Sequence, residues 1–122
     1  MSVPMNYSAI IIDDDNNRLN KVKATLESSS IKVFIAENLY ELISKIYKYS
    51  VKILVFNPNL VWINVIEFIT ELKKLPNYDE FTIFFLYEDI DIDLEREAKK
   101  HNIICMKYPL HINKLITKIE SL

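Results

Sequence analysis

Five short apolar runs, each followed by a segment of helical periodicity, leave this chain few ways to fold. The runs cover residues 8–12, 31–36, 51–56, 82–86 and 103–106. Several are apolar at consecutive positions, as in parallel strands covered on both faces. The second contains Lys32 and suits a place nearer a sheet edge. Between the runs, Leu19, Val22 and Leu26 form one stripe, and Leu39, Leu42, Ile43 and Ile46 form another. Trp62, Val65, Ile66, Ile69 and Leu72 make a third stripe, which places Trp62 on the first turn of its helix. Ile112, Leu115, Ile116 and Ile119 make the last. These are the spacings of helices that bury one face. The segment 92–100 offers only Leu94 and Ala98, so it is expected to be either the most mobile helix or the one most dependent on a partner. Alternation repeated five times implies one domain over residues 1–122, an α/β fold with a doubly wound parallel sheet, because right-handed crossovers leave few alternatives.

Composition narrows the function. A net charge of -2 gives no field that would favour nucleic acid or anionic lipid. No apolar run approaches the ~20 residues of a membrane span. Residues 1–7 lack a basic stretch leading into a long apolar one, so no signal peptide is expected. Cys105 is the only cysteine, which excludes an internal disulfide and suits a reducing compartment. The expected location is the cytoplasm. Glycine is absent, which removes any Gly-rich phosphate loop. Left-handed turns must then fall on residues such as Asn38, Asn59, Asn77 and Asn102.

Ile10, Ile11 and Ile12 run directly into Asp13, Asp14 and Asp15. Burying an unpaired carboxylate costs several kcal/mol, so the strand ends at Ile12 and delivers its acids to a wet sheet edge. Strand C-termini of a parallel sheet share one edge, where ligands usually bind. Asn57-Pro58-Asn59, Tyr87-Glu88-Asp89 and Lys107-Tyr108-Pro109 gather there with the three acids.

This set resembles the receiver domain of bacterial two-component response regulators, the CheY-like domains, over nearly the whole chain. The resemblance implies the flavodoxin-like strand order 2-1-3-4-5. In that family an acid pair after strand one holds Mg²⁺ and an aspartate after strand three accepts a phosphoryl group. A Thr or Ser after strand four and a Lys before a Pro after strand five bind its oxygens. Asp13 and Asp14 match the acid pair, with Asp14 in the place of the direct metal ligand. Asn57 stands at the phosphoacceptor position, and Asn59 matches the residue whose carbonyl completes the metal site.

The departures are informative. An amide is a far poorer nucleophile than a carboxylate, and no acid occurs between Val51 and Ile66 to replace it. Tyr87 takes the small hydroxyl's place, where its ring would fill the phosphoryl space. Tyr108 directly precedes Pro109, so Lys107 sits one residue early and reaches the pocket only across a bulge. Cys105 takes the aromatic switch position. Losing one unit charge about 4 Å from a divalent ion forfeits on the order of several kcal/mol, so the metal site of Asp13 and Asp14 is weak or lost. Alternatively these acids are a solvated cluster in which Asp14 or Asp15 caps the first helix. Tyr87 and Tyr108 either plug a disused cavity together at the pocket mouth or form an aromatic recognition surface.

The sequence therefore points to a degenerate receiver domain, not an enzyme, with no cofactor beyond weak Mg²⁺. It would bind a protein partner, or itself as a homodimer, through residues 92–100, 103–106 and 112–122 (Ile92 to Lys100, Ile103 to Met106, Ile112 to Leu122). Two alternatives remain open: a conventional Mg²⁺-dependent phosphorylated receiver with an unusual pocket, and a small-ligand sensor. Asp89, Asp91 and Asp93 lack the Gly and Glu of an EF-hand, having Leu94 and Lys100 at those places. His101 and His111 lack zinc-site companions.

Overall fold

A computed structural model describes residues 7–122. Apart from Tyr7, the stretch read for a signal peptide lies outside these residues. Five strands alternate with five α-helices: β1 Ser8–Ile12, α1 Asn16–Ser28, β2 Lys32–Ile35, α2 Leu39–Lys48, β3 Ile53–Phe56, α3 Val65–Leu72, β4 Thr82–Tyr87, α4 Ile92–Lys100, β5 Ile104–Lys107 and α5 Ile112–Glu120. All neighbouring strands pair in parallel, in the order β2-β1-β3-β4-β5. The doubly wound parallel sheet expected from the alternation is the fold observed.

Strand residues alternate between two cores. Ala9, Ile11, Val55, Phe84 and Leu86 pack with Leu19, Val22 and Leu26 of α1 and with Leu115 and Ile119 of α5. Ile10, Ile12, Leu54, Phe56 and Phe85 pack with α2, α3 and Ala98 of α4. Both sheet faces are thus covered, which is why β1 and β3 read as unbroken apolar runs.

A chain without glycine still has to end its helices. Ser30, Ser50 and Asn102 adopt left-handed φ values of 64°, 53° and 60°. After α1, the Ser30 N–H donates to Glu27 O and the Ile31 N–H to Leu26 O. After α4, the Asn102 N–H donates to Lys99 O and the Ile103 N–H to Ala98 O. This is the paired closure of a Schellman motif, and the hydrophobic residue that follows each turn enters the same core as its partner three residues before the cap.

Three expectations are corrected here. Of the four asparagines assigned to left-handed turns, only Asn102 takes one. The backbones of Asn38 and Asn77 have negative φ, and the Asn38 side chain caps α2 by accepting the Glu41 N–H at 2.8 Å. Trp62 precedes α3, because Asn64 caps the helix from outside and Val65 is its first residue. Leu39 and Ile43 are each 41% exposed, so the buried stripe of α2 narrows to Leu42 and Ile46.

Candidate functional site

Arg18 and Asn57 are buried as whole residues, and both lie at the carboxyl edge beside Asp13, whose carboxylate is itself buried. Their positions follow from local structure. The Asn57 N–H donates to Ile12 O at 2.9 Å, extending the β1–β3 ladder by one bond and setting Asn57 next to Asp13. Asp15 caps α1 by accepting the Arg18 N–H at 3.0 Å, which turns the first helical turn over the end of β1.

The Arg18 guanidinium grips Asp13 with two nitrogens, Nε to Oδ2 at 2.6 Å and Nη2 to Oδ1 at 2.8 Å. Such a fork is among the stronger charge-assisted pairings. The bond to Asp13 raises the arginine pKa from its already high value; desolvation opposes this, and the charges of Asp13, Asp15 and Glu88 reinforce it. Glu88 Oε2 lies 3.4 Å from Nη1 at the exposed rim, and Asp15 Oδ2 lies 4.0 Å away.

Asp13 Oδ1 collects further donors: the Asp15 N–H at 3.0 Å and the Asn57 Nδ2 amide at 3.3 Å. The other end of that amide, Oδ1, accepts the Asn59 N–H at 2.9 Å. Both polar ends of Asn57 are satisfied, as a buried amide requires. The Asn59 side chain donates to Asp89 O at 3.0 Å, tying the loop after β3 to the loop after β4.

The fit of a divalent ion follows from this donor set. Mg²⁺ needs free oxygen lone pairs in near-octahedral array. Asp13 faces donors only, and one of them is a cation that would repel a second. Asp14 is exposed and makes no hydrogen bond or ion pair among the described residues. The arrangement does not suit the metal that the receiver resemblance implies. Of the two acids weighed as a helix cap, Asp15 does the capping.

The remaining site residues separate. The Tyr108 N–H donates to Tyr87 O at 2.7 Å, so their backbones touch. Their side chains go to opposite faces of the sheet, Tyr108 into the α1–α5 core and Tyr87 against the α2–α4 side. The shared aromatic mouth is therefore not formed. Burial raises the Tyr87 phenol pKa, with smaller contributions from Glu95 and Cys105. Lys107 pairs in register with Tyr87 and is exposed, and among the described residues it makes no ion pair. Its backbone is held by His111, whose Nδ1 accepts the Lys107 N–H at 3.0 Å. The Tyr108–Pro109 peptide is cis.

Arg18 is the residue that sequence reasoning missed. A signal was present: an arginine in the first turn of a helix sits at the positive end of the dipole, with no acid in that turn to balance it. Such a residue calls for an anion from elsewhere, and Asp13 lies five residues back.

No protein-family model matches the sequence, and no curated protein matches it. Solved structures do. Chemotaxis response regulator CheY4 of Vibrio cholerae is 17% identical with a TM-score of 0.79, covering 96% of this chain and 98% of that one. A two-component response regulator from Legionella pneumophila is 21% identical with a TM-score of 0.81, covering 96% and 100%. The signal receiver domain of a DNA-binding response regulator from Colwellia psychrerythraea 34H is 17% identical with a TM-score of 0.83, covering 95% and 97%. At this identity the likeness speaks for architecture. Strand order, helix placement and near-complete mutual coverage agree: the chain has the fold of a response-regulator receiver domain.

Proposed function

We propose that this chain is a signalling module of receiver fold that works without aspartyl phosphorylation and carries no enzymatic step. The observation that carries the reading is Asn57, a buried amide with one end on Asp13 and the other on the Asn59 N–H. An amide so engaged offers no nucleophile where the receiver resemblance needs a carboxylate. The incubation of the chain with a small phosphodonor and Mg²⁺, followed by intact mass measurement, tests this. No added phosphoryl group is the expected result; a stable adduct on any carboxylate would overturn it.

Its action would be to bind a protein, or a second copy, through the face of α4, β5 and α5. Helix α4 buries only Ala98, and its first residue, Ile92, is 71% exposed. A separate observation favours a second face: Leu39, Tyr40, Ile43 and Tyr47 leave an apolar, tyrosine-rich strip along α2, with Tyr40 83% exposed. Exposed tyrosines are frequent anchors at interfaces. Co-purification from the native host with I92E and Y40E/Y47E variants separates the two. Loss of the partner with I92E alone supports the α4 face, and loss with the α2 pair alone moves the interface there.

A further inference from the structure

We propose that Arg18 is a tethered cation that takes the place of the divalent ion at the carboxyl edge, so that the domain is closed to Mg²⁺ by its own side chain. This rests on the receiver reading of the edge but not on how the domain signals. The end of β1 presents a carboxylate that is 6% exposed, and a buried anion needs a compensating charge. In a metal-dependent site that charge is a dissociable ion. Here a planar fork from the adjacent helix supplies it, covering both oxygens of Asp13 at 2.6 and 2.8 Å. Like a metal ion the guanidinium keeps its charge at any physiological pH, but it is tethered to the chain and cannot diffuse away. Asn57 fits the same scheme, since its amide donates to Asp13 where a carboxylate would add an anion that one guanidinium cannot also neutralise.

Two consequences are specific. Asp13 is held in one position irrespective of metal concentration, and the Asn57–Asn59 loop that hangs from it is held with it. Removing the guanidinium while leaving the acids would reopen a place for a cation.

The test is a Mn²⁺ titration, read as paramagnetic broadening of backbone amide NMR signals, on the wild-type chain, R18Q, R18K and R18Q/D13N. The wild type and R18K are expected to show no broadening centred on residues 13–15 and 57–59. R18Q should bind Mn²⁺ at least tenfold more tightly than the wild type, and D13N should cancel that gain. Saturable broadening at Asp13 and Asn57 in the wild type, with Arg18 in place, would overturn the proposal. So would a folded R18Q that binds no better. If R18Q does not fold, the wild-type titration alone decides between the two outcomes. The result is separable from the phosphodonor experiment: metal binding without phosphorylation defeats this inference alone, whereas phosphorylation of a chain that binds no metal defeats only the proposed function.

Discussion

Asp13 and Arg18, five residues apart, form a closed two-bond pair with side chains 6% and 9% exposed. Two charges at a wet sheet edge normally stay in water. Here α1 starts so soon after β1 that its first turn carries the arginine back over the strand end. The pair therefore belongs to the framework as much as to the site.

Breaking it should be costly. R18L leaves Asp13 without its countercharge and is expected to lower unfolding stability by about 3 kcal/mol. R18K restores the charge but not the fork, so it should recover only part of the loss. Urea denaturation of the three proteins checks the order wild type, R18K, R18L.

Asn57→Asp should not behave as a benign isostere. It replaces a donor with an acceptor 3.3 Å from Asp13 Oδ1. Repulsion at that range is worth on the order of a few kcal/mol at an effective dielectric near 20, only partly offset by Arg18. The introduced carboxyl would have a folded pKa raised above its unfolded value. The deficit is then absent below about pH 4 and grows as pH rises through the raised value. Thermal melts at pH 4 and pH 7 should show near-equal midpoints at the lower pH and a clear drop for the variant at the higher.

Asp15 gives the opposite pH signature. The Arg18 N–H holds its carboxyl below the ordinary value; desolvation opposes this, and the Arg18 charge and the Asn17 N–H add lesser contributions in the lowering direction. A depressed folded pKa contributes stability above the unfolded value and loses it as pH falls through the folded one. D15N keeps a capping oxygen without the titration, so the midpoint difference between wild type and D15N should shrink on going from pH 5 to pH 2.5. A difference that stays constant across that interval would show that the cap charge plays no part.

The left-handed helix ends invite stabilisation. Ser30 at φ 64° bears a Cβ where the backbone prefers none. S30G should raise stability by about 1 kcal/mol, and N102G by less, because asparagine tolerates that region better. Differential scanning calorimetry on the two single variants tests the ranking.

The alternation of unbroken apolar runs with one-faced helices marks all five strands, because burial on both faces leaves a direct trace in sequence, whereas their order 2-1-3-4-5 is implied by the receiver resemblance. Strand ends were harder: the third run begins at Val51, but pairing within β3 starts at Ile53. Helix ends were misread where one residue type serves two purposes. Asn38 looks like a turn residue and acts as a cap, whereas Ser30 and Ser50 carry no mark of a left-handed backbone. At the site, Asp13, Asn57 and Asn59 are brought together as their places after β1 and β3 suggested. Arg18 is not marked by strand-end spacing, because it stands within the first turn of α1 and not directly after a strand. The separation of Tyr87 from Tyr108 follows from alternation: Tyr87 pairs with Lys107, so the next residue, Tyr108, faces the other side, which a shared sheet edge alone does not reveal.

Tyr108 extends this to how such a domain can change over evolutionary time. Its ring is embedded in the core shared with Leu19 and Leu115, directly before Pro109. A lysine introduced at that position would strand an ammonium in hydrocarbon unless neighbouring side chains were remodelled with it. Acquiring a lysine at 108 or a carboxylate at 57 by single steps is thus opposed by packing at the first position and by electrostatics at the second, so either change needs its neighbours to change with it.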